Sequence, residues 1–326
     1  MKTDIGSRQI SERTDRALCD FVLGSLPYDR TKTATSAALQ AMSGKQLLNI
    51  YLNWFFRSVP QFPRKIRFSN RVLLDELNHA ERKALQEICR AIENGDSLQR
   101  YLSRAVLCGY EKPKGKKKKL AHRRDLDLLF NETCIHHLHL SSEVEEDGFV
   151  QRTDRLLFVL FRREFAYLIN ILPHQANHLW ADRELFRTIV ENWPTENLLF
   201  ELVGCMGEPQ SDRDDQQDAY RHIQLRNAGV MTSISLDDKV YCGAGALSTA
   251  GTSMLTLRWS NEIVPKVNWL FEMWEQKPAS LRSELLAKGH FISPDERLAF
   301  QINPDGVFGL HASDAQVFIS VGQIQL

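Results

Sequence analysis

The chain has 326 residues, 43% hydrophobic and 25% charged, the composition of a folded protein about twice the length of a typical domain. Its 41 Lys and Arg balance 41 Asp and Glu, which excludes global basicity as a reason to expect nucleic acid and leaves only local clustering. No apolar run reaches about 18 residues and the N-terminus has no apolar signal core, so the sequence predicts no membrane span, no secretory signal and a cytoplasmic location.

Six cysteines (Cys19, Cys89, Cys108, Cys134, Cys205, Cys242) stand singly, without a C-x2-C pair. That spacing predicts reduced thiols rather than a disulfide framework.

Residues 10 to about 108 carry apolar side chains at three- and four-residue spacing and read as helices. Ser43 is placed to cap a helix starting near Lys45, Gly95 to end the helix before it, and Ser97 to cap the next. Tyr51, Trp54, Phe55 and Phe56 read as helix core. Pro60 and Pro63, with Arg64, Lys65 and Arg67, predict a loop bearing an exposed basic patch.

Residues 111–124 (EKPKGKKKKLAHRR) hold six lysines and two arginines against one acid. Like charges at this density repel and stay solvated, so a linker is predicted here. Three strands follow, near 135–140, 155–161 and 165–172, with a hairpin between the last two. A helix near 182–192 is stopped by Pro194. Residues 209–218 are polar and acidic and read as a surface loop.

The last hundred residues predict a strand at 231–236, a tight Gly-rich loop (Gly243, Gly245, Gly251) and a helix near 260–275. A hairpin with its turn at 303–306 closes the chain. The organisation expected is α+β: a helical domain over 1–110, a basic linker over 111–125, a His-rich domain over 126–208 with a small antiparallel sheet and a following helix, and a C-terminal α+β domain over 209–326.

Histidine placement is the most informative chemical signal. Six of the ten histidines fall between His122 and His178, three of them in IHHLHL. Strand alternation puts Ile135, His137 and His139 on one face and His136, Leu138 and Leu140 on the other. One face is expected on a core and the other to present imidazoles. Antiparallel pairing would set the start of the middle strand, with Arg152, beside the end of the third, at His174.

Such a cluster suits metal-independent RNA cleavage. Histidine serves as base or acid because its pKa lies near neutrality, and arginine matches phosphate oxygens with its planar fork. In this reading His137 or His139 is the base, His174 the acid and Arg152 the phosphate stabiliser. Lys112, Lys114, Lys116, Lys117, Lys118 and Lys119, with Arg123 and Arg124, hold the RNA backbone.

Two other readings stay open. His137, His139, His174 and His178 could instead bind zinc in a metal-dependent hydrolase, although the spacing matches no standard zinc motif. Alternatively the imidazoles are structural, and the chain is a non-enzymatic nucleic-acid- or protein-binding component of a bacterial defence complex.

The motifs IHHLHL at 135–140, RTDRLLFV at 152–159, a strand ending in His at 166–174 and NWP at 192–194 resemble a family of uncharacterised bacterial proteins. More loosely, the strands over 126–195 are similar to the RelE and HigB class of bacterial ribonuclease toxins, within the wider barnase–colicin–RelE group. This chain departs from that class in being long, neutral and richer in histidine. The resemblance implies a ribonuclease in a toxin or anti-phage setting, with RNA and an antitoxin or defence-complex protein as partners and no cofactor.

Overall fold

In RLLFVLF (155–161) and FAYLINILP (165–173) almost every side chain is apolar, so strands built from them must be covered on both faces. The computed structural model, which describes residues 10–112, 120–173, 183–207, 215–276, 278–293 and 296–324, shows that covering. Its helices are α1 (Glu12–Ser25), α2 (Thr33–Gln40), α3 (Gly44–Arg57), α4 (Asn70–Leu73), α5 (His79–Asn94), α6 (Leu128–Thr133), α7 (Arg183–Asn192), α8 (Asp215–Asn227), α9 (Met254–Gln276) and α10 (Pro278–Ala287). Its strands are β1 (Lys65–Phe68), β2 (Ile135–His139), β3 (Arg155–Phe161), β4 (Phe165–Pro173), β5 (Phe200–Glu201), β6 (Ile234–Leu236), β7 (Lys239–Cys242), β8 (Leu298–Ile302), β9 (Val307–Ala312) and β10 (Val317–Gln323). The class is α+β, as expected.

The chain divides into two compact units. One spans Asn53–Leu255, and the other joins Met1–Leu52 to Thr256–Gln325. The boundaries expected near 110, 125 and 208 therefore fall inside a single unit, and the two ends of the chain share the other. Composition marks solvated loops, but it does not record which distant segments pack together.

The Asn53–Leu255 unit is built on a four-stranded sheet in the order β1-β4-β3-β2. The expected antiparallel trio is present, with His137 opposite Phe158, His139 opposite Leu156 and Arg155 opposite Pro173. On one face Leu138, Leu157, Val159 and Leu168 pack with Ile88, Ala91 and Ile92 of α5. On the other, Ile135, Phe158, Leu160 and Ile169 pack with Leu185, Phe186 and Ile189 of α7. Residues Ile234, Leu236 and Tyr241 of the small sheet β5-β7-β6 complete that second layer.

The fourth strand, β1, corrects the loop expected at 60–67. It pairs in parallel with β4, Lys65 opposite Phe165. Arg64 is buried rather than exposed. Its Nε donates to the Arg162 carbonyl at 2.9 Å, and its guanidinium lies 3.7 Å from the centre of the Phe62 ring. Strand pairing with β4 overrides the polar local sequence, a tertiary effect invisible to propensity.

Several local signals match the structure. Asn78 and Glu81 form a reciprocal capping box at the start of α5, and Gly95 ends that helix at φ +76°. A Cβ at Gly95 would lie 2.6 Å from the Phe62 and Pro63 backbone, so glycine is required twice over. Ser43 and Gln46 bond reciprocally at the start of α3.

In the other unit, Asn268 of α9 ties down the start of α1. Its Oδ1 accepts from the Ser11 amide at 3.0 Å and the Thr14 hydroxyl at 2.9 Å. The antiparallel sheet β10-β9-β8 includes the expected hairpin, and Phe300 of β8 packs edge-on to Phe21 of α1. Among the described residues no helix is long and apolar enough to cross a membrane.

Candidate active site

The site is assembled from a short stretch, DLLFNETCIHH, read as cap, turn and strand. Asp127 precedes α6 and caps it, its Oδ1 accepting from the Phe130 amide at 2.9 Å. The helix lasts six residues and ends at Cys134, held at φ +62°. That left-handed residue turns the chain directly into β2, so His136 and His137 follow within a few residues of the cap.

Asp127 and His137 thereby face one another. Asp127 Oδ2 lies 3.7 Å from His137 Nδ1, with 27% and 13% of the two side chains exposed. The separation exceeds a direct hydrogen bond. Both residues line a cleft of about 380 Å³ in the Asn53–Leu255 unit, a volume suited to a nucleotide-sized ligand. Its apolar wall includes Leu102, Val106, Leu128 and Phe130, and its other polar members include Ser103, Arg57 and Arg226.

Arg57, at the end of α3, is 5% exposed and donates to the carbonyls of Cys108 at 2.9 Å and Arg124 at 3.4 Å. Its Nε has no hydrogen-bond partner among the described residues. Burial pulls its pKa below the usual guanidinium value, while Asp127 and Asp125 pull the other way. Arg226 comes from α8 and is tied to buried Glu132 of α6, whose Oε1 accepts from the Thr232 amide at 2.9 Å and hydroxyl at 2.6 Å.

The small α6 needs close packing from behind. Gly243 and Gly245 press on the Glu132 and Asn131 carbonyls, and a Cβ on either glycine would fall 2.3 Å from those oxygens. The Gly-rich loop is thus a packing device, and it backs the segment that carries Asp127 and His137.

Of the imidazoles expected in one cleft, His137 and His139 differ in placement. His137 and His139 share a face, as alternation requires, yet both faces of the sheet are covered. Only His137 of these two lines the cleft; His139 is 5% exposed, opposite Leu156. His136 lines the cleft from the other side of β2 but is buried. Its Nε2–H donates to the Phe56 carbonyl at 3.0 Å, and burial pushes its pKa down to about 4.

Arg152 is exposed in the loop before β3. The adjacent Arg155 is engaged with Asp75 and, at 3.3 Å, with Glu81. His174 and His178 lie outside the described residues, as do Lys114, Lys116, Lys117, Lys118 and Lys119.

Of the remaining basic residues, Lys112 and Arg124 are exposed, while Arg123 is bound to Asp125 at 2.6 Å. The Arg124 carbonyl accepts from the Arg57 guanidinium at 3.4 Å, which sets the Arg124 backbone beside a residue that lines the cleft. Among the described residues no three His, Cys, Asp or Glu side chains cluster closely enough to hold a metal.

Sequence reasoning did not single out Arg57, Asp127 or Arg226. Asp127 was detectable as a cap residue three positions before Phe130. Arg57 was signalled only as a charge within the apolar run NWFFRSV, and Arg226 by nothing local. Comparison with protein-family models, curated proteins and solved structures finds no match to this chain.

Proposed function

We propose that the chain is a metal-independent ribonuclease whose reacting phosphodiester occupies the His137–Asp127 cleft. The observation that carries the reading is the facing of His137 and Asp127 in a nucleotide-sized cleft that Arg57 also lines. Arg57 replaces Arg152 as the expected phosphate stabiliser in this proposal, because Arg57 lines the cleft. Exposed Lys112 and Arg124 serve as backbone contacts at its approach.

His137 faces Asp127 through Nδ1, and in this reading its Nε2 takes the proton of a ribose 2′-hydroxyl. The 2′ oxygen attacks phosphorus, the bond to the 5′ oxygen breaks, and a 2′,3′-cyclic phosphate forms. The leaving oxygen takes its proton from solvent at the open side of the cleft. Asp127 stabilises the imidazolium, and Arg57 offsets the charge that builds on the phosphorane. A toxin or anti-phage setting is the cellular context such an activity would serve.

The test is cleavage of a structured RNA by the full chain and by H137A and D127N, with thermal melts to verify folding. The expected products carry a 2′,3′-cyclic phosphate, detected by mass spectrometry, and a single 2′-deoxy substitution blocks its own site. Loss of the imidazole lowers the rate about 10²–10⁴-fold. Wild-type protein that binds RNA without cutting it, or folded H137A that cuts at the wild-type rate, overturns the proposal. The former outcome favours the non-enzymatic binding reading.

A further inference from the structure

The helix that closes one side of this cleft is unusual in how it is attached. The thirteen residues of α8 (DQQDAYRHIQLRN) include only Ala219, Tyr220, Ile223 and Leu225 as apolar side chains. Tyr220 is 59% exposed, and Ile223 and Leu225 are half-buried. Between Tyr220 and Asn227 the single fully buried side chain is a charged one, Arg226. A helix without an apolar stripe gains little from packing and opens at low local cost.

Arg226 supplies the fastening. It pairs with Glu132, itself 2% exposed, while Thr232, just beyond the helix, donates twice to the same carboxylate. Between the helix end and Thr232 lies Gly229, at φ +73° and pressed against the Thr249 backbone, where a Cβ would meet the carbonyl oxygen at 2.6 Å. The C-terminal end of α8 is therefore pinned, with a left-handed residue at the pivot. From this helix Ile223, Arg226 and Asn227 line the cleft, as do Ser103 and Val106.

We propose that α8 is a movable wall, latched closed by the buried Glu132–Arg226 pair and pivoting at Gly229 to admit substrate. The proposal rests on the cleft being the working site, and it deepens that reading. A closed volume near 380 Å³ accommodates about one nucleotide, whereas an RNA strand must enter and leave on both sides of the bond it loses. Outward movement of the wall formed by the polar helix opens that path without exposing a hydrophobic core. Glu132 is then a positioning residue, acting through Arg226.

Native-state hydrogen exchange read by mass spectrometry on the full chain tests this with no substrate present. In wild type the 220–227 amides are expected to exchange at least about 100-fold faster than those of β3 and β4. E132Q removes the charge of the carboxylate that Arg226 pairs with, and T232V removes one donor to that carboxylate. Both are expected to speed α8 exchange, E132Q by at least about tenfold, while β3 and β4 stay unchanged.

Wild-type α8 protected as strongly as β3 and β4 overturns the latch, as does α8 exchange unmoved by the substitutions. If E132Q does not fold, wild type and T232V decide. Failure to cut RNA alongside a mobile α8 rejects the ribonuclease reading alone, and cleavage with a rigid α8 rejects the wall alone.

Discussion

His136 makes the stability of the Asn53–Leu255 unit depend on pH in a calculable way. Its ring is 3% exposed, lies 4.4 Å from the Phe130 ring centre and 5.2 Å from that of Phe161, and donates through Nε2 to Phe56. Burial pushes its pKa from 6.5 down to about 4, against smaller upward pulls from the Phe56 bond and Asp127. Between those values the unfolded chain binds a proton that the folded chain refuses. The contribution is fully present above pH 6.5 and is lost as the pH falls toward 4.

At about 1.4 kcal/mol per pKa unit, the loss is roughly 1 kcal/mol at pH 5.5 and roughly 3 kcal/mol at pH 4. Few carboxylates titrate at the higher of these values, so the early part of the slope is the cleaner signal. H136Q keeps a donor for the Phe56 carbonyl and removes the titration. Urea unfolding of wild type and H136Q at pH 7.5, 6.5 and 5.5, followed by tryptophan fluorescence, should show wild type losing about 1 kcal/mol more than the variant across the series. Parallel curves for the two proteins would refute the assignment of a neutral, buried imidazole.

Two further outcomes follow from packing and burial. G243A places a methyl 2.3 Å from the Glu132 carbonyl oxygen and 2.7 Å from the Thr133 Cα, backbone atoms that cannot rotate away. It should cost about 2–3 kcal/mol, lower Tm by roughly 5–10 °C and weaken RNA cleavage with it; an unchanged Tm counts against close packing behind α6. In native protein a maleimide should label exposed Cys205 first, whereas Cys134, buried with its thiol pushed up to about 12, should react only after unfolding. Peptide mapping of the labelled protein distinguishes the two.

Much of the central sheet was legible because its signals are local. The observed β3 and β4, Arg155–Phe161 and Phe165–Pro173, nearly coincide with the strands expected at 155–161 and 165–172, since dense apolar runs separated by a short charged turn have few other solutions. The helix at Arg183–Asn192 was marked by its period and by Pro194. By contrast, β1 carries a polar sequence and becomes a strand only because β4 offers an open edge. The return of α9 to the N-terminal helices leaves no local trace either, because the Asn268 contact joins residues more than 250 positions apart.

The candidate site divides along the same line. His137 was legible because alternation on a strand fixes which side chains share a face. Its neighbours were not, since their placement depends on elements distant in sequence. Arg57 arrives at the end of a helix whose apolar stripe reads as core, and Arg226 arrives on a polar helix that reads as surface. Each cation is buried against a partner that makes burial tolerable, carbonyls for Arg57 and Glu132 for Arg226. A basic cluster in sequence marks charges that solvent can accommodate. The arginines lining this cleft are isolated charges in their local sequence, and their common destination is set by the fold.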